Sequence, residues 1–175
     1  KILRKLHSVV PRKEFVTYKV LVVFIASLDM DLTDDKGNVV RFTKKLASDT
    51  VVKTKLFFEY QKHFVEAFSD GNLKVSLAYE RPGLTATERE ASGKNDIQLD
   101  TLMPALPYRE FLFKNYNRYD VFCFIWPKPT GVPADALGGI GMQDSLLPFL
   151  KSVPPRGFMK IPDSWILSAE TRSTF

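Results

Sequence analysis

Hydrophobic residues fall along this chain in blocks with different periods, and each block predicts an element. Tyr18-Lys19-Val20-Leu21-Val22-Val23-Phe24-Ile25-Ala26 is almost continuously apolar and rich in β-branched residues. A run of that kind predicts a strand buried on both faces, as a central parallel strand is. Asp34-Asp35-Lys36-Gly37-Asn38 supplies turn chemistry, and Val39 to Thr43 reads as a short extended piece after it. Val52, Leu56, Phe57, Tyr60, Phe64 and Phe68 then recur at helical spacing. They predict a helix with one apolar stripe, N-capped by Ser48 or Asp49 and stopped by Gly71 after Ser69-Asp70. Leu73 to Tyr79 alternates apolar and polar with period two, the signature of a half-buried strand.

Pro82, Gly83, Gly93, Pro104 and Pro107 mark residues 81–107 as a loop. Residues 108–118 read as a short helix, with Phe111, Leu112 and Tyr116 near one face. Tyr119-Asp120-Val121-Phe122-Cys123-Phe124-Ile125-Trp126 follows as a second buried strand that delivers the chain to a Pro/Gly-rich tail. In open α/β sheets ligands gather at such strand ends. Within the tail, Phe158 to Ile161 and Trp165 to Leu167 are candidate edge strands. Strand, helix, strand, helix, strand predicts an α/β fold. The expectation is a mixed, mainly parallel sheet with helices packed on it and an irregular Pro/Gly-rich C-terminal part. Residues 1–17 form a basic N-terminal segment, and 18–175 a single domain.

Charge adds little to this picture. The net charge is +5 over 175 residues. Lys1, Arg4, Lys5, Arg12, Lys13 and Lys19 stand against Glu14 alone in the first twenty residues, and the rest is balanced. A nucleic-acid face needs basic residues clustered on the folded body, so no nucleic-acid partner is expected. No apolar run has the length of a membrane-spanning helix. The single cysteine, Cys123, excludes an internal disulfide and sits mid-strand, where a free thiol behaves as a small hydrophobe.

Asp29, Asp31, Asp34 and Asp35 are oxygen donors after the first strand. Counted from Asp29, position six is Asp34 instead of Gly and position twelve is Val40, so the EF-hand pattern fails. An acidic hairpin turn is the simpler reading, with a looser calcium loop as the alternative. His7 and His63 are the only histidines. Neither has the neighbours a zinc site needs, so no metal is expected on this chain alone. No G-x-S-x-G occurs, and Cys123 with His63 makes a nucleophilic pair only if the fold joins them. Gly138-Gly139-Ile140-Gly141 lacks the strand-to-helix setting of a nucleotide loop and reads as a flexible or extended substrate-facing loop. Asp120 reads as a cap on local backbone N–H groups at the start of its strand. Glu80, Asp120, Asp135, Asp144 and Glu170 are the carboxylates available for glycoside-type chemistry.

Taken together, the element order resembles the N-terminal lobe of a zincin-type metallopeptidase. The helix through Phe57, Phe64 and Phe68 runs through Ser69-Asp70-Gly71-Asn72 straight into a strand. Tyr119-Asp120-Val121-Phe122 looks like the third strand that opens the cleft. Gly138-Gly139-Ile140-Gly141 looks like the approach to the edge strand, which in that family pairs with substrate backbone. The resemblance implies a secreted peptidase lobe with a peptide or protein substrate. It places Ser168 to Phe175 where a helix bearing H-E-x-x-H would begin. That motif does not occur in the chain, so no catalytic residue is carried over. Zinc would come only with a downstream helix. The expectation is one wall of a substrate cleft, with Gly138, Gly139, Ile140, Gly141 and Trp165 in contact, in the front part of an enzyme or in a relative without catalysis. The alternative is a non-catalytic module whose Pro-rich tail, with Trp126 and Trp165, binds a protein or glycan.

Overall fold

Two β-branched, apolar strands side by side form the centre of the molecule. A computed structural model describes residues 15–33, 36–86, 106–128, 130, 139–143 and 156–166. Strand β1 (Val16–Phe24) pairs in parallel with β6 (Val121–Trp126), and Leu21 to Ile25 and Phe122 to Trp126 are all buried. The burial on both faces expected of β1 holds from Leu21 onward, while residues 15–19 are exposed. On the far side of β1 lies β4 (Leu73–Glu80), and beyond β6 lies β8 (Arg156–Pro162), both parallel to their neighbours. The last strand, β7 (Gly139–Gln143), runs antiparallel to β8. The sheet order is β4-β1-β6-β8-β7, so the fold is α/β with a mainly parallel sheet.

Alternating side chains of the central strands supply two apolar faces. Val22, Phe24, Cys123 and Ile125 point to one face, where Phe58 of helix α1 (Ser48–Phe68) joins them with Leu46 and Ile166. Phe122 belongs to the opposite face, stacked on Tyr116 just after helix α2 (Leu106–Asn115). Phe111 and Leu112 of α2 are buried as well. Gly157 stands opposite Val121, where an added Cβ would come within 3.2 Å of the valine side chain.

Several expectations are corrected. A second, three-stranded sheet exists, in which β2 (Ser27–Thr33) pairs antiparallel with β3 (Val39–Lys45) and parallel with β5 (Thr85–Ala86). Leu28, Met30 and Leu32 alternating with Asp29 and Asp31 are the period-two signal of β2, obscured by reading the aspartates as a turn. Phe158 to Ile161 form part of an internal strand, because β7 closes the sheet beyond them. Trp165 and Ile166 lie in a helical turn over 163–166, while Leu167 is outside the described residues. Helix α1 takes Ala47 as its N-cap, with no side-chain cap bond, and Asp49 Oδ1 accepts from the Thr50 N–H. At its other end Asp70 and Gly71 both adopt positive φ, so the left-handed turn spans two residues.

The apolar stripe of α1 faces outward. Val52, Leu56, Tyr60, Phe64 and Phe68 are exposed, whereas Thr50, Thr54 and Phe58 are buried and Phe57 is half-buried. The phase of the helix is set at its start. Leu46 is buried and donates its N–H to Ala26 O at 2.9 Å, which anchors the chain two residues before the helix. Small Thr side chains then face the sheet, where Phe or Tyr would hold the helix further off.

Candidate functional site

The backbone of the glycine tract decides what it can do. Gly139, Ile140 and Gly141 lie on β7, while Gly138 is outside the described residues. A loop was expected here, and a strand is found. In an extended strand the N–H and C=O of one residue share a side, and successive residues alternate. Gly157 donates its N–H to Asp120 O at 2.9 Å, so the polar groups of 157, 159 and 161 point toward β6. Those of 156, 158 and 160 therefore point toward β7, onto their partners Gln143, Gly141 and Gly139. Ile140 and Met142 are left with N–H and C=O aimed at the outer edge. The outward groups therefore belong to alternate residues of β7, Ile140 and Met142, and Met142 was not among the residues singled out from sequence.

The two edges of the five-stranded sheet are treated differently. Val16 donates to Asn72 O, so by the same alternation Leu73 and Val75 face away from β1. Their N–H groups are taken by α1 and its cap: Leu73 N–H donates to Ser69 Oγ and Val75 N–H to Glu66 Oε1, each at 3.0 Å. The bond from Val75 holds the Glu66 carboxyl below its ordinary pKa. Side chains thus cap part of the β4 edge against strand addition, a known protective device. On β7, alternate positions 139 and 141 are glycine, so one face of that strand carries no side chain there.

At the carboxyl ends of β6 and β8 a buried carboxylate ties the two sheets together. Asp163 is 1% exposed. Its Oδ2 accepts from Lys44 Nζ at 2.8 Å and its Oδ1 from the Lys128 N–H at 2.9 Å. Lys44 Nζ also donates to Lys128 O. Trp126 ends β6 buried, with an indole N–H that has no partner among the described residues, and Trp165 lies half in solvent in the turn after β8. Neither Lys44 nor Asp163 was singled out from sequence, since a lone Lys in a strand and an Asp after a proline are commonplace.

The remaining candidates separate. Asp29 and Asp31 face Arg41 across the β2–β3 hairpin, with Nε to Asp29 Oδ1 at 2.9 Å and Nη1 to Asp31 Oδ1 at 3.5 Å. These ion pairs account for both aspartates, while Asp34 and Asp35 lie outside the described residues. Among the described residues no three His, Cys, Asp or Glu side chains gather as a metal site. Cys123 is buried, and burial pushes its thiol up to about 12. His63 is exposed on α1, so the two do not form a nucleophilic pair. Asp120 is a cap, though to a neighbouring strand: its Oδ2 accepts from the Lys19 N–H at 2.8 Å. Glu80 ends β4, half-buried, while Asp135, Asp144 and Glu170 lie outside the described residues, as does His7. Among the described residues no helix is long and apolar enough to cross a membrane. Compared with family models, curated proteins and solved structures, the chain matches none.

Proposed function

We propose that this chain is the sheet lobe of a zincin-type metallopeptidase, or of a relative without catalysis, and that β7 forms one wall of a cleft for an extended peptide. The observation that carries the reading is the contrast between the sheet edges. β4 is capped by Glu66 and Ser69, whereas β7 is an antiparallel outer strand with Ile140 and Met142 groups directed outward. An extended peptide laid along β7 meets those groups as a further strand. Glycine at 139 and 141 lets its backbone approach closely. The resemblance in element order supports the choice of family. On this reading the chain's part in the reaction is to bind and align substrate along β7. Trp165 stands at the carboxyl end of β8, at the same end of the sheet as the start of β7.

The test is a titration of the 15N-labelled chain with a pool of extended peptides of alternating apolar residues. Shifts centred on the Ile140 and Met142 amides are expected. Proline at 140 or 142 removes an outward N–H and should abolish binding while the fold persists, whereas proline at 141 breaks a bond to β8 and should destabilise the fold. Peptide shifts confined to Trp165, indifferent to proline at 140 and 142, would favour the protein- or glycan-binding module instead. Reading the coding sequence past Phe175 is a second check, since an H-E-x-x-H shortly downstream is what the family reading expects.

A further inference from the structure

We propose that the carboxyl ends of β6 and β8 form a binding site for a small oxyanion, the phosphate or carboxylate group of a low-molecular-weight ligand, held by Lys44, Lys128 and the Trp126 indole N–H. Topology selects the place. The connection out of β1 leads through α1 to β4, and the connection out of β6 leads the other way, to β8. α1 packs on the face of Val22 and Cys123, and the chain after α2 on the opposite face, that of Phe122. Between the carboxyl ends of β1 and β6 the outgoing chains part, and open α/β sheets bind ligands outside the strands at such a point. Ile25 and Ile125 are still joined there, by an N–H to O bond of 2.8 Å. Beyond them β1 turns into β2, while the chain after β6 runs on through Pro127 to Lys128. Lys44 of β3 returns over this end of the sheet and donates to Lys128 O. The site is separate from the outer edge of β7.

The chemistry of the cluster selects the ligand. Trp126 pairs in register with Pro162, the residue before Asp163, so tryptophan and clasp stand together at the strand ends. Trp126 is 3% exposed, and its indole N–H has no acceptor among the described residues. A buried donor left unpaired is costly, and an entering acceptor removes that cost. The Lys44 ammonium has three N–H groups. Asp163 Oδ2 and Lys128 O take two of them, and the third remains on a side chain 36% exposed. Lys128 is half-buried and bonds through its backbone, so its ammonium is a second cation without a partner among the described residues. Asp163 offsets one of the two charges, and both its oxygens are already occupied. The cluster therefore keeps one positive charge and has only donors to offer. A cation is repelled by such a set. An oxyanion has several lone pairs and can accept from the indole and both ammonium groups at once.

Nuclear magnetic resonance of the 15N-labelled intact chain tests the site through its indole N–H signals. The chain has two tryptophans, and Trp165→Phe assigns their signals. Sodium phosphate, sodium acetate and sodium chloride are titrated separately at matched ionic strength. Phosphate or acetate should move the Trp126 indole signal and the Lys128 amide together and saturably, with a dissociation constant on the order of 1 mM, while chloride moves neither. The arm that saturates at the lower concentration identifies phosphate or carboxylate as the group preferred. Lys128→Met leaves the backbone bonds to Asp163 and Lys44 in place. It should weaken binding by about 10-fold at unchanged melting temperature, the effect of one charge-assisted bond. An indole signal unmoved by both oxyanions overturns the proposal, whatever the variant does. So does a shift that chloride reproduces, a Lys128 amide that moves without the indole, or a response that Lys128→Met leaves intact.

Discussion

Replacing Asp163 tests the joint between the two sheets. In the wild type both carboxylate oxygens are used, one by Lys44 Nζ at 2.8 Å and one by the Lys128 N–H at 2.9 Å. Asp163→Ala removes both bonds and leaves the Lys128 amide without that partner. Breaking a buried ion pair from one side costs about 3–5 kcal/mol. Lys44 is 36% exposed and returns partly to water, which places the expected loss at the lower end, about 3 kcal/mol. Asp163→Asn keeps one acceptor for the amide but turns an NH2 group toward Nζ, and should cost about 2 kcal/mol. The assay is urea unfolding followed by circular dichroism. With a slope of about 2 kcal/mol per molar, Asp163→Ala should move the midpoint down by about 1.5 M at unchanged slope. A Lys44→Met/Asp163→Asn cycle should then return a coupling of about 1–2 kcal/mol. A loss under about 1 kcal/mol for Asp163→Ala, or additivity within about 0.5 kcal/mol, would refute the idea that this carboxylate fastens the β2–β3 hairpin to the carboxyl end of the main sheet.

Three further outcomes are expected. Tyr79 is pushed up to about 12, by burial first and then by the Glu59 carboxylate. An unfolded tyrosine titrates near 10, so the folded state holds its proton longer, and stability should fall as pH rises from about 10 to about 12. Tyr79→Phe should flatten that slope in urea melts taken across the interval. The Oγ1 atoms of Thr50 and Thr54 are buried without partners among the described residues, so Thr54→Val should leave stability unchanged or raise it by up to about 1 kcal/mol, whereas a measured loss above that size would reveal a partner for the hydroxyl. Cys123 should resist a thiol reagent at pH 8 until denaturant is added, with labelling that tracks the unfolding curve; fast labelling of the native chain would contradict its burial.

How far the fold could be read in the amino acids depended on whether one period dominated a segment. β1, β4 and β6 were legible because β-branched runs and clean alternation admit no other element. β2 was not, because Asp29 and Asp31 carry turn propensity as well as being the polar half of an alternating strand. The facing of α1 failed for another reason. Periodicity locates an apolar stripe but does not say what it packs against, and here Leu46 turns Thr50 and Thr54 inward instead. At the site, the glycine tract was visible as a motif, but the residues whose backbone groups point away from β8 are assigned only by register. That register is set by Gly157 on β8, seventeen positions after Ile140 in sequence and invisible as a partner without the sheet. The Asp163 clasp joins residues 119 apart, beyond any local signal.

Among the described residues, the two outer strands of the main sheet have opposite edge chemistry. An open strand edge invites pairing with any extended chain, so folded proteins cover it unless pairing is its purpose. Here the β4 end has part of its outward N–H groups spoken for by Glu66 and Ser69, and an exposed helix lies above it. The β7 end has glycine where a bulky or charged residue would discourage approach. One end is therefore partly closed by side chains of α1 and its cap, and the other favours contact through backbone. Proline at 142 should remove the peptide shifts at Ile140 while the fold persists, and Ser69→Ala, which frees the Leu73 N–H on β4, should leave those shifts unchanged. Loss of the shifts on Ser69→Ala, with proline at 142 silent, would place the peptide on β4 and make the assignment to β7 wrong.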